Sequence, residues 1–149
     1  MTKSAYLKIP LDFSKRHLIV GDVHGHYHAL LRLLDSFNYD ESKDVVYSVG
    51  DLIDRGPKSV EVIEFFKRPN CWAARGNHEQ MLVNHFNWKN IWLNNGGVNT
   101  LDSLDEHGHD IHWLVDFCRS LPVCLDVGEN DDEGAFRIIH AELPPNVQD

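Results

Sequence analysis

Short apolar runs alternate with helical patterns through the first half of this chain. His17-Leu18-Ile19-Val20 is long enough for a strand and stops at Gly21. Leu30, Leu31, Leu34 and Phe37 then recur at helical spacing within residues 27–37. Asp44-Val45-Val46-Tyr47-Ser48-Val49 predicts a second strand, halted by Gly50. Pro57 suits the first turn of a helix whose inner face is marked by Val60, Ile63 and Phe66. Cys71-Trp72-Ala73-Ala74 is a weaker third strand, stopped by Gly76 and followed by Met81, Leu82, His85 and Phe86 in helical register. Strand, helix, strand, helix, strand is the order of a parallel sheet with helical crossovers.

The second half is less regular. Trp88 to Leu93 reads as a helix and ends in Asn94-Asn95-Gly96-Gly97, a turn or C-cap signal. A further helix is predicted from about His109 to Arg119. Val123–Val127 and Ala135–Ile139 read as an antiparallel pair of strands separated by the polar stretch Gly128–Gly134. Pro144–Asp149 ends structure rather than starting an element. No repeat, linker or low-complexity segment divides the chain, so residues 1–149 are expected to form one α/β domain.

Each strand ends in polar residues able to bind a cation. Gly21-Asp22-Val23-His24-Gly25 follows the first, and Gly50-Asp51-Leu52-Ile53-Asp54-Arg55-Gly56 the second. Gly76-Asn77-His78-Glu79 follows the third, and His140 follows the run ending at Ile139. In an open parallel sheet the carboxyl ends of the strands share one edge, which gathers Asp22, His24, Asp51, Asp54, Asn77 and His78 in one crevice. Carboxylates, imidazoles and an amide oxygen suit a pair of divalent ions, and a central Asp51 is placed to bridge them. Such a pair serves in-line displacement at phosphorus. Taken singly the pieces have blander readings, with Asn77 as a helix cap and Asp54-Arg55 as a surface pair.

Composition narrows the partners. Twenty-three acidic against 14 basic side chains give a net charge of -9, which argues against a nucleic-acid binder. No apolar run is long enough to span a bilayer, and no secretory signal is visible. Three cysteines without zinc-like spacing suggest reduced thiols and a cytoplasmic location. Of the ten histidines, His26 is expected to line the crevice and His28 the helix surface. His107, His109 and His112 are placed in a solvated loop and helix start.

Gly-Asp-Val-His-Gly at 21–25, Gly-Asp-Leu-Ile-Asp-Arg-Gly at 50–56 and Gly-Asn-His-Glu at 76–79 resemble the three signature blocks of the phosphoprotein phosphatase branch of the metallophosphoesterases. Arg75–Met81 and Trp92–Gly97 resemble the compact bacterial and phage lambda-type serine/threonine phosphatases. The resemblance implies a β-sandwich flanked by helices and two divalent ions, manganese first, with iron or zinc as alternatives. It implies Asp22 and His24 on the first ion, Asp51 bridging, and Asn77 and His140 on the second. His78 would be the general acid, Asp54 its orienting partner and Arg55 the phosphate clamp, with Arg75 either near the phosphate or structural. A hydroxide between the ions would attack phosphorus in a phosphorylated protein or peptide. A dinucleoside polyphosphate hydrolase and a non-catalytic phosphate- or metal-binding remnant are the alternatives.

The family's later histidine ligand, in a Gly-His-Thr turn, and a further phosphate-binding arginine have no counterpart before Asp149. That implies a C-terminally incomplete domain with a second metal site one ligand short. Weak second-ion binding and little turnover are expected of it. Apolar surface is expected to be exposed at Val123–Val127 or Phe136–Ile139.

Overall fold

The computed structural model describes residues 6–129 and 133–141, with only the backbone of 85–88. Glu142, the tail Pro144–Asp149 and the middle of the Gly128–Gly134 stretch, 130–132, lie outside the described residues. Two three-stranded sheets are present. One holds β1 (Tyr6–Ile9) parallel to β5 (Cys124–Val127), which pairs antiparallel with β6 (Phe136–Ile139). The other holds β2 (Arg16–Val20), β3 (Asp44–Ser48) and β4 (Cys71–Ala73), all parallel, with β3 in the middle.

The central strand explains the layering. Every residue of β3 is buried, so its two faces must both be covered. Val45 and Tyr47 point into a cluster with Ile9, Leu125, Val127 and Ile138 of the opposite sheet. Val46 points the other way, into a cluster with residues of α1 (Tyr27–Ser36) and α2 (Ser59–Phe66), among them Leu30, Leu34 and Ile63. The same helical layer takes in Leu82 of α3 (Asn77–Val83), Trp92 of α4 (His85–Trp92), Leu104 of α5 (Val98–Glu106) and Leu114 of α6 (Ile111–Ser120). The result is the expected α/β architecture, a β-sandwich with helices over its parallel sheet.

Three expectations change. Tyr6–Ile9 forms a strand, and α5 starts directly after the glycine pair that read as a helix stop. The third concerns exposure. Leu125 and Val127 are buried, because β5 is the middle strand of its sheet and its inner face packs on β3; Ile138 of β6 is buried beside them. The exposed large apolar side chains include Ile19 on β2 and Leu33 on α1 instead.

An ion pair staples β2 to β3. Arg16 donates from Nε (2.8 Å) and Nη2 (2.7 Å) to the two oxygens of Asp44, which also accepts the Asp40 N–H at 2.8 Å. The Arg16 bond, followed by that backbone bond, outweighs burial and holds the Asp44 carboxyl below the usual aspartate range. A depressed carboxyl stabilises the fold above its unfolded pKa and ceases to do so as the pH falls through the folded one. Asp44→Asn is therefore expected to lower the melting temperature at pH 7, by a margin that narrows once the pH drops below about 3.9. Thermal denaturation across pH checks this; a margin that does not vary with pH would count against it.

Candidate metal centre and proton-donor site

The four strand ends do converge. Asp22 follows β2 by two residues, Asp51 follows β3 by three, Asn77 and His78 open α3 beyond β4, and His140 directly follows β6. The loops that carry them are sharply bent: His24, Asp51, Asp54 and Arg55 all have left-handed φ, at 46°, 53°, 71° and 67°. Side chains rarely accept that backbone, and its cost is tolerated where surrounding bonds over-determine it. Glu79 supplies those bonds. Its carboxylate, fully buried, accepts the backbone N–H groups of Gly76 (2.8 Å), Asp51 (3.0 Å), Leu52 (2.8 Å) and Ile53 (3.3 Å). Gly76 must be glycine, since a Cβ there would collide with the Asp51 side chain.

Two groups of ligand atoms share Asp51. His24, Asp51 and His78 offer atoms within 4.8 Å of one another, and so do Asp22, Asp51 and His140. Asp51 Oδ2 lies 3.6 Å from His24 Nε2 and 3.6 Å from His140 Nε2. His24 Nδ1 is 2.9 Å from the Ile53 carbonyl, which takes its N–H and leaves Nε2 as a lone pair. His140 Nδ1 meets the Val49 carbonyl at 3.2 Å in the same way. Its Nε2 then faces Asn77 Oδ1 at 2.8 Å as well as Asp51. The side-chain atoms that converge around Asp51 Oδ2 are acceptors, a candidate donor set for a cation, and the mixture of oxygen and imidazole nitrogen fits a borderline divalent ion. Asn77 is the first residue of α3 rather than its cap, and its side chain is turned to His140.

His78 has a different environment. Its Nδ1 lies 2.7 Å from Asp54 Oδ2, with both side chains essentially inaccessible to water. Nε2 is left facing the crevice, 3.2 Å from Arg55 Nη2, while Arg55 Nη1 donates to His24 Nε2 at 3.0 Å. Burial opposes a charge on His78, but the Asp54 hydrogen bond and the nearby Asp51 and Asp54 charges outweigh it and raise its pKa above the ordinary histidine value. Asp54 is no surface pair with Arg55. Its oxygens also accept Trp92 Nε1–H (3.1 and 2.9 Å) and the Thr100 hydroxyl (2.7 Å).

Arg75 is not brought to the crevice. Its guanidinium donates to the carbonyls of Arg119 (2.8 Å) and Leu121 (2.7 Å), closing the C-terminal end of α6, so of its two candidate roles the structure shows the structural one. His26 lines a cavity of about 410 Å³ with Asp22, His24, Arg55, Val20, Leu30 and others, and His28 is exposed on α1. His107 lies beside Glu61 and Glu106, where the Lys58 ammonium bonds both carboxylates. His109 stacks on Trp113 at 4.0 Å, away from the crevice. Three participants had no role assigned to them from the sequence: Glu79 and Trp92, which stand in recognised segments, and Thr100. Only Glu79 left a local signal, a glycine-x-x-glutamate cap pattern at 76–79.

Residues 15–146 match the calcineurin-like phosphoesterases, and the chain belongs to that family. It is 36% identical over 135 residues to serine/threonine-protein phosphatase 1 of Salmonella typhimurium, covering 89% of this chain and 62% of that protein. It is also 36% identical over 106 residues to the symmetrical bis(5'-nucleosyl)-tetraphosphatase of Buchnera aphidicola, covering 70% of this chain and 37% of that one. A solved protein serine/threonine phosphatase from Saccharomyces cerevisiae shares the fold, with a TM-score of 0.63 at 20% identity over 84% of this chain and 39% of that one. The chain spans less than two thirds of the length of these relatives. Among the described residues no helix is long and apolar enough to cross a membrane.

Proposed function

We propose that this metallophosphoesterase chain hydrolyses phosphoserine and phosphothreonine monoesters in proteins or peptides. The observation that carries the reading is the buried Asp54–His78 pair with Nε2 of His78 turned to the crevice beside Arg55. A serine alkoxide is a poor leaving group and needs a proton as the P–O bond breaks. His78, held through Nδ1 by Asp54, delivers it from Nε2 as the imidazolium, once Arg55, which can only donate, has turned from that nitrogen to the phosphoryl oxygens. Arg55, whose two terminal nitrogens already reach the Nε2 atoms of His24 and His78, binds the phosphoryl oxygens and offsets their charge.

Asp22 and Asp51, whose carboxylate oxygens lie 3.9 and 3.6 Å from His24 Nε2, would hold one divalent ion with His24, and Asp51, Asn77 and His140 the other, although Asp22 also lies within 4.0 Å of His140; manganese is the first choice, with iron or zinc compatible with the same donors. When bound, the ions supply positive charge at the phosphoryl group and an activated water. Calorimetric titration with manganese is expected to show one tight and one weaker event per chain. Asp51→Asn should weaken both by more than the ~10–100-fold that follows loss of an outer-sphere bond. Loss of one event alone would mean that Asp51 does not bridge.

Hydrolysis of a dinucleoside polyphosphate is the second reading, supported by the Buchnera relative and by the apolar cavity along Val20, Ala29, Leu30 and Leu33 next to Arg55. At saturating manganese a phosphoserine peptide should be hydrolysed in preference to diadenosine tetraphosphate. The reverse preference would favour the second reading, and manganese binding without hydrolysis of either would favour a binding module. The buried free cysteines Cys71, Cys118 and Cys124 accord with a reducing cytosolic setting for a phosphoprotein substrate.

A further inference from the structure

We infer that Trp92 and Thr100 are positioning residues that set the orientation of the Asp54 carboxylate, and through it which ring nitrogen of His78 faces the crevice with a transferable proton. The inference rests on the reading of His78 as proton donor.

The bonds around Asp54 admit little else. An indole N–H only donates, so Trp92 Nε1, shared between Oδ1 at 3.1 Å and Oδ2 at 2.9 Å, fixes the plane of the carboxylate. The Thr100 hydroxyl accepts the Asp54 N–H at 2.9 Å, which turns its own proton to Asp54 Oδ1 at 2.7 Å. Ser59 Oγ sits 3.1 Å from Thr100 Oγ1 and holds that hydroxyl in place. Oδ2 is thereby directed at His78 Nδ1 and must receive a hydrogen from it. Asp54 and Thr100 are fully buried and Trp92 is 2% exposed, so water cannot stand in for a missing donor.

The corner between α4 and α5 is shaped for this task. Gly97 lies against the Trp92 indole so closely that a Cβ would come within 2.6 Å of the ring. The Gly96 carbonyl accepts the Arg55 N–H at 3.2 Å, and the Asn99 amide donates to the Arg55 carbonyl. The left-handed Asp54-Arg55 pair is therefore gripped from one side by four residues of 92–100: Trp92, Gly96, Asn99 and Thr100.

Trp92→Phe keeps a ring against Gly97 and removes the N–H, while Thr100→Val keeps the shape and removes the hydroxyl. In 15N-edited spectra of the full chain, the His78 Nδ1–H resonance is expected to be protected from exchange, to be lost or to exchange faster in either variant, and to return in Thr100→Ser. At saturating manganese, both variants are expected to lose about tenfold in kcat on a phosphoserine peptide but little on p-nitrophenyl phosphate, whose leaving group needs no proton, with KM unchanged. An unaltered His78 Nδ1–H resonance in a folded variant would overturn the inference, and should one variant fail to fold the other decides. Loss of the resonance with equal kcat losses on the two substrates would uphold the positioning role and overturn the proton-donor reading instead. The spectra decide the matter whatever the rate of turnover.

Discussion

His78→Asn is expected to lower kcat on a phosphoserine peptide by about 10²–10⁴-fold, the range that a positioned general acid supplies. Asparagine occupies part of the same space and its amide can still donate to Asp54, but it has no proton to release at the position of Nε2. The backbone N–H of His78 would keep its 3.0 Å bond to Asp51 Oδ1, so the shared ligand stays in place. KM should therefore change little, because removing an interaction made only in the transition state lowers kcat and kcat/KM together. Phosphate release at saturating manganese measures both. A loss confined to KM would mean that His78 binds substrate without protonating the leaving group.

Glu79→Gln is expected to give the largest loss of stability. The carboxylate accepts four backbone N–H groups from two loops, whereas an amide has one oxygen to offer and turns its own N–H groups toward the remaining donors. Stranding two buried donors at about 1–3 kcal/mol each gives a loss of about 2–6 kcal/mol. For a domain of this size that lowers the melting temperature by on the order of 10 °C. One effect works the other way. Burial and the Asp51 charge push the Glu79 carboxyl up from its usual range against the pull of the N–H bonds, and a neutral amide escapes that penalty. The geometry should win because the amide cannot satisfy both loops at once. An unchanged melting temperature would show that the two effects cancel.

The parallel sheet and the convergence of the candidate ligands were legible because each strand of the β2-β3-β4 sheet is a short apolar run followed by glycine. Asp22, Asp51 and Asn77 each directly follow such a glycine, a few residues past a strand end, with His78 next to Asn77. β1 was not legible: Tyr6–Ile9 is four residues long, and its partner β5 begins at Cys124. No local pattern announces a pairing over that separation. The burial of β5 was missed for the same reason, since a strand reads as exposed until its neighbour is known. α5 was hidden by Asn94-Asn95-Gly96-Gly97, which does break the helix, with Gly96 at φ 103°, but only to restart it at once. Trp92 and Thr100 fall on opposite sides of that break. No periodicity relates them, and only the folded corner shows that they meet on Asp54.

The left-handed backbone at His24, Asp51, Asp54 and Arg55 has a consequence for how this sequence can drift. Glycine at any of the four would relieve roughly 1–2 kcal/mol of steric conflict while deleting a side chain to which the proposed function gives a part: metal ligand, orienting carboxylate or phosphate clamp. Mutational pressure toward stability and the demand for activity therefore pull in opposite directions at the same four codons. A lineage released from selection for turnover should lose these side chains early, and to glycine more often than chance allows.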